Sequence, residues 1–294
     1  IIDLMIKTLG VKNLVKIGEL NTLEVKRKAD FGYFLDGQTG NSTDDVLLHN
    51  KFIEDGTEIE VGKEVEVFIF KDSKGRFAAT TKKPLACVGD IAYLKVVDNT
   101  DIGTFIDVGL PKDVLVPFRE KTHPMFRDEK YLFYIYVDKS GRIAATTDID
   151  NHLTTDHEYN LGDTVTGIVY GFQTNGTAML CVDNKYAAVI LNNEYFTDLD
   201  VGQVMENLKV IKIYDDGKLG LTPRADRKSE MDSVEYKILS YLEGNDGYMR
   251  FNDKSDPKDI KILFNSSKKN FKRALGVLMR KGIVYQDENG TYLK

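Results

Sequence analysis

Between residues 266 and 282 the chain reads SSKKNFKRALGVLMRKG, six cations with no acid. Clustered ammonium and guanidinium groups neutralise phosphate oxygens and release the counterions that accompany them. Wound at about 100° per residue, the stretch places Phe271, Ala274, Leu275, Leu278 and Met279 on one side. Lys269, Arg273 and Arg280 fall opposite, with Lys272 and Gly276 beside them. Such a stripe costs a helix stability. Lys268–Lys272 and Lys269–Arg273 are like-charged pairs four apart, each unfavourable by about 0.2–0.5 kcal/mol, and Lys268 and Lys269 face the positive end of the helix dipole. A solvated helix face would more comfortably mix signs, and charged runs that serve only solvation are the competing explanation. Arg224, Arg227 and Lys228 carry the positive charge back toward Lys218. From Arg224 onward there are fifteen Lys and Arg against eleven Asp and Glu, a net +4, so the rest of the chain holds −10 of the total −6. The phosphate candidate is therefore C-terminal.

Four cations on one face with a glycine between them suit a single backbone crossing the helix. Reading duplex DNA usually takes Arg, Asn or Gln aimed at base edges. Asn270 is the only amide near the stripe, and QDENG places Asp287 and Glu288 where a second phosphate strand would be repelled.

Other chemistries find no foothold. The chain has no GxxxxGK[ST], GxGxxG, GxSxG or HExxH. His152 and His157 sit in the acidic stretch TTDIDNHLTTDHEYN at a spacing that shares no helical face, which favours a solvated linker over a metal site. The carboxylates are scattered over turns, not clustered as a nuclease requires. Cys87 and Cys181 lie far apart and match no zinc spacing, so they read as reduced thiols suited to the cytoplasm. The expectation is a protein without catalytic residues, cofactor or metal. The opening IIDLMIKTLGVKNLVK is too short and too charged to span a bilayer and lacks a signal-peptide layout, so no membrane partner is expected.

The elements that hold such groups repeat. SKGRFAATTKK (73–83) and KSGRIAATTDI (139–149) share G-R-[FI]-A-A-T-T, and DGKLGLTPR (216–224) is a weaker third copy. Upstream of each, ADFGYFLDG, TDIGTFIDVG and QTNGTAMLCV place a glycine at the same point of an apolar strand. Each unit spans about 65–70 residues of short alternating segments separated by turn signals, which predicts a small closed β barrel with a bend or bulge at the glycine. After residue 231 the period becomes helical: Val234, Ile238, Leu239 and Leu242 form one stripe ended by Gly244. Asp256 and Pro257 then read as N-cap and first turn, Ser266 or Ser267 caps the basic helix, and Asn289-Gly290 reads as a hairpin turn.

A Gly-bent second strand and a last strand after D-x-x-G-R resemble the OB-fold domain of the ribosomal S-one type, an RNA-binding module. That resemblance implies a binding surface at Phe31, Phe34, His49, Asp72 and Arg76, from DFGYF, VLLHN and DSKGR. The second repeat retains Phe105, Asp138 and Arg142, with Ile102 and Pro117 in place of Phe31 and His49. The third has Asn175, Ala178 and Leu191 at those sites, and Lys218 for the Arg. Rings stack on exposed bases at about 1–3 kcal/mol each. Spacing alone leaves Phe31 and Phe34 equally open to barrel packing, and the resemblance favours binding. Three helices and a hairpin resemble a winged helix. FNDKSDPKDIKILFNSSKKNFKRALGVLMRKG is similar to the end of the conserved virulence factor B family, which carries tandem S-one-type domains before a winged helix.

The expected architecture is multidomain and mostly β: three tandem OB-fold barrels, then a C-terminal α+β winged-helix domain. The divisions are an N-terminal extension (1–15), barrels at 16–83, 84–149 and 159–223, a linker at 150–158, a basic linker at 224–231 and the winged helix at 232–294. The expected function is non-enzymatic binding of single-stranded RNA in gene regulation. Alternatives are a DNA-binding regulator using the winged helix, for which duplex DNA is the partner, and a protein-interaction scaffold with degenerate barrels.

Overall fold

A computed structural model describes residues 15–195, 198–223 and 227–294, with the side chains of 227–233 excepted. All of the N-terminal extension but Val15, which packs against the first core, and Arg224 therefore lie outside the described residues, as do the side chains of Arg227 and Lys228. The chain divides into two units, Ile1–Leu153 and Thr154–Lys294.

The first unit holds two five-stranded barrels. Strands β1 (Leu20–Ala29), β2 (Gly32–Leu35), β3 (Val46–His49), β4 (Glu64–Lys71) and β5 (Phe77–Thr80) close in the order β1-β2-β3-β5-β4. Strands β6 (Ile91–Thr100), β7 (Gly103–Asp107), β8 (Val114–Pro117), β9 (Lys130–Val137) and β10 (Ile143–Thr146) close in the same way. In the second unit β11 (Thr164–Phe172), β12 (Ala178–Val182), β13 (Tyr186–Ile190), β14 (Val204–Ile213) and β15 (Leu219–Thr222) form the third barrel. Alternation supplies each core: Leu23, Val25, Leu35, Val46, Leu48, Val67, Ile69 and Ala79 fill the first.

The repeated A-A-T-T segment is the closing strand. It runs parallel to the third strand, with Leu47 opposite Ala78 in the first barrel and Leu115 opposite Ala144 in the second. Its threonine then ties down the chain that follows the third strand. Thr80 Oγ1 donates to Phe52 O at 2.7 Å, and Thr146 Oγ1 to Glu120 O at 3.1 Å.

The bend expected at the glycine divides into two features. The register break lies in the preceding strand, between Val25 and Arg27, Val96 and Asp98, and Val169 and Gly171. The glycine serves close approach instead. A Cβ on Gly32 would lie 2.2 Å from Leu48 O, and one on Gly103 2.3 Å from Val116 O.

The C-terminal domain comprises α1 (Arg227–Glu243), β16 (Tyr248–Met249), α2 (Pro257–Phe264), α3 (Lys268–Arg280), β17 (Val284–Gln286) and β18 (Thr291–Leu293). The stretch expected as a basic linker at 224–231 is helical from Arg227 onward. Asp256 caps α2 by accepting from Lys258 N, and Ser267 caps α3 by accepting from Asn270 N. Phe264, Phe271, Leu275 and Leu278 centre the core. Met279, expected on the apolar face, is 41% exposed. The hairpin turn centres on Glu288-Asn289, since Asp287 N donates to Gly290 O; Gly290 is kept free to approach Met249 O on the third strand of the sheet.

The stretch 150–158 is largely exposed, as expected of a linker, but it is tied down at several points. The His152 ring stacks on Tyr134 at 3.4 Å, Thr154 bridges to Tyr186, and His157 Nε2 meets Gly217 O at 2.8 Å. Both thiols are free, and burial pushes that of Cys181 up to about 12.

Gly32→Ala forces a methyl against a backbone carbonyl, at a cost of about 1–3 kcal/mol. Exchange of the β2 and β3 amides should quicken by about 5- to 100-fold. Unchanged exchange would show that the hairpin relaxes freely.

Candidate nucleic-acid interface

The register break at Arg27 and the close approach at Gly32 decide which side chains leave the first barrel. Phe31 lies in the two-residue turn before β2, and Phe34 lies opposite Arg27. Their rings meet edge to face at 6.0 Å, with Phe31 48% exposed. His49 faces Gly32 across β3, 6.4 Å from the Phe31 ring. Its Nδ1 accepts from Lys51 N at 3.2 Å, which leaves Nε2 to carry the proton and donate outward. Thus Phe31, Phe34 and His49 share one patch.

Sequence reasoning missed three members of this patch. The Arg27 guanidinium lies 3.4 Å from the Phe34 ring centroid. Phe52 extends the rings from His49 at 6.0 Å, and Lys51 lies over it at 4.8 Å. The signal for Arg27 was the run KRKADFGYF, but its contact depends on the break in register, which alternation does not reveal.

Asp72 and Arg76 form a clasp. Asp72 Oδ2 accepts from Arg76 Nε at 2.9 Å and Nη2 at 2.7 Å, while Oδ1 accepts from the amides of Lys74 and Arg76. Burial raises the Asp72 carboxyl, but these bonds outweigh it and hold the group below its ordinary value. Asp72 thereby orients Arg76 and stays ionised.

The second barrel keeps less. Phe105 is half-buried, and Ile102 and Pro117 occupy the other positions. Burial likewise works to raise the Asp138 carboxyl, and the Ser140 hydroxyl and the Ser140 and Arg142 amides outweigh it and lower it. The Arg142 guanidinium adds only a through-space attraction, in place of the direct ion pair that Arg76 makes with Asp72. In the third barrel the expected positions are off by one. Gln173 N donates to Thr177 O, so its hairpin loop is a residue longer. The register therefore puts Met179, not Ala178, where Phe34 and Phe105 stand, and Gly176, not Asn175, where Phe31 stands. Ala178 is core. Lys218 is half-buried, and its amide donates to Asp216.

On α3, Lys269, Lys272, Arg273 and Arg280 are all exposed, as the helical winding requires. Lys272 is not free: its ammonium pairs with Asp253 at 3.1 Å, and that hydrogen bond is the main cause holding the Asp253 carboxyl low. A Cβ on Gly276 would meet only the Arg280 guanidinium, at an ordinary contact distance of 3.7 Å, so the glycine leaves the face open there. Lys268 is engaged with Lys254 O and Lys281 with Glu235. Among the described residues no group of three or more His, Cys, Asp or Glu could hold a metal, and no helix is long and apolar enough to cross a membrane.

The family model for the S1 domain matches residues 17–82 and 88–148, and the one for the CvfB-like winged helix domain matches 236–293. The uncharacterized protein YitL of Bacillus subtilis (strain 168) is 37% identical over 94% of this chain and 93% of its own length. Conserved virulence factor B of Staphylococcus aureus (strain MW2) is 28% identical over 91% of each. A solved multidomain protein with nucleic acid binding domains from Streptococcus pneumoniae TIGR4 is 27% identical, covering 95% of this chain and 98% of that one, with a TM-score of 0.49. The S1 and winged-helix domains of this chain are nucleic-acid-binding folds.

Each phosphate neutralised contributes about 0.7 to the salt slope for a single strand. Replacing Lys269, Arg273 and Arg280 together by Gln should therefore flatten the slope by up to about 2. Lys272→Gln alone should change it little, because Asp253 already offsets that charge. An unchanged slope in the triple variant would return α3 to a solvated face.

Proposed function

The chain belongs to the conserved virulence factor B family, and on that premise we propose that it is a non-enzymatic cytoplasmic protein that regulates gene expression by binding single-stranded RNA. The patch on the first barrel carries the reading. Three rings cluster there, Phe31 meeting Phe34 edge to face at 6.0 Å and His49 at 6.4 Å, with one guanidinium over a ring and another held by Asp72. That combination suits unpaired bases and one backbone, and a duplex hides the ring faces it would need. Helix α3 adds a second, sequence-blind hold on phosphate.

A DNA-binding regulator would use the winged helix. Against that stand exposed Asp287 and Glu288 at the tip of the hairpin, and Asp253 beside the helix. The third barrel, with Met179 and Leu191 in place of rings, suits a structural or protein-contacting role.

The test is equilibrium filter binding of single-stranded RNA, single-stranded DNA and duplex DNA at matched salt. RNA should bind tightest. Phe31→Leu with Phe34→Leu should weaken it by about 5- to 100-fold while circular dichroism stays native. Unchanged RNA affinity in the double variant would end the stacking role, and a selected duplex bound far more tightly than RNA would favour the DNA regulator.

A further inference from the structure

The first two barrels enclose a cleft of about 370 Å³, at the small end of the roughly 300–1,000 Å³ typical of small-molecule sites. Ile102, Phe105 and Leu115 of the second barrel supply most of its apolar surface, with the edge of the buried Phe70 of the first at its base. Arg142, Lys71 and Lys112 supply cations around it. Three carboxylates also line it. Asp72 is taken up by Arg76, and Asp138 Oδ1 by the amides and hydroxyl of its own turn. Asp113 remains, its carboxyl raised by burial and by nearby Asp107. The walls are held in place. The Lys71 ammonium donates to Ser140 O at 3.1 Å, and Val88 N donates to Gly18 O at 2.8 Å.

A series of ring contacts links the patch on the first barrel to the wall of the cleft, the last of them buried. From His49 the rings run to Phe52 at 6.0 Å and on to Phe70 at 5.8 Å. An apolar slot bordered by the Arg142 guanidinium, which makes no ion pair among the described residues though it stands in the field of the Asp138 carboxylate, is complementary to a nucleotide: a planar heterocycle with a phosphate beside it.

We propose that the first two barrels form one continuous track, in which a strand leaving the Phe34–Phe31–His49 patch lays a base against Phe105 and Ile102 of the second barrel, over the edge of the buried Phe70, and sets its phosphate against Arg142 and Lys71. The proposal rests on the RNA-binding reading above and adds to it a second contact point and a strand path between barrels.

The probes are a uridine tetramer and a uridine dodecamer, labelled and titrated with the full chain by fluorescence anisotropy. OB folds take at least about 4 nucleotides, so the tetramer samples one barrel and the dodecamer reaches the cleft. Leu115→Trp fills the cleft. It should weaken the dodecamer by about 5- to 100-fold and leave the tetramer as it was. Arg142→Gln keeps the volume and should both weaken the dodecamer and flatten its salt slope by about 0.7; it decides alone if the Trp variant does not fold. Wild-type dodecamer affinity in both folded variants, with loss in the Phe31 and Phe34 variant, would overturn the cleft and leave the patch standing. Loss in the cleft variants with none on changing Phe31 and Phe34 would fail the patch, and the track with it. Uridine monophosphate bound tightly by itself, and lost in Leu115→Trp while the dodecamer is unaffected, would assign the cleft to a free nucleotide and overturn the track.

Discussion

A backbone carbonyl occupies the space where a side chain would stand at Gly32 and Gly103, and the outer face of those two barrels follows from that contact. With no Cβ in the way, the second strand closes onto the third and the turn before it holds only two residues. Phe31 is thrown outward from that turn, His49 is drawn opposite the glycine, and the register break one strand earlier brings Arg27 against Phe34. The third barrel shows the converse. Thr177 stands at the glycine position, the loop is a residue longer, and the ring positions fall to Gly176 and Met179. The fold survives the change because the core is carried by the alternating positions of the strands, whereas the outer face is carried by the turn.

Much of the architecture was legible in local pattern. The repeated A-A-T-T segment marked the closing strands, because two small residues and a threonine tether are what a tight parallel closure needs. Asp256 and the serine before α3 marked the helix starts through ordinary capping chemistry. What stayed hidden depends on partners distant in sequence or on shifts of a single residue. Asp253 reaches Lys272 from another element, and no helical wheel contains it. The extra loop residue in the third barrel moved two positions at once. The hairpin turn slid by one because Gly290 was needed against Met249 O, not in the turn itself.

The charge of the molecule is partitioned in the same manner as its aromatic rings. The basic helix lies in a domain with a surplus of cations, yet three of its six cations are tethered to protein oxygens of Asp253, Lys254 and Glu235. Those contacts relieve the like-charge repulsion that a run of lysines imposes on a helix. Lys269, Arg273 and Arg280 are left exposed on the outer face. On the first barrel the division is similar: Asp72 restrains Arg76, and Arg27 is spread over a ring.

The lysine that crosses from the first barrel to Ser140 O lies where Gly141 leaves a hollow: a Cβ there would come within 2.4 Å of its ammonium. Two modules joined by a slack tether search for a common ligand with an effective concentration set by tether length, and it falls off as the tether grows. Two modules latched side by side have already surrendered that freedom during folding. A polymer that engages one finds the other at a constant separation, so avidity depends on the spacing of its own repeating units and is insensitive to how the connecting segment 81–90 is composed.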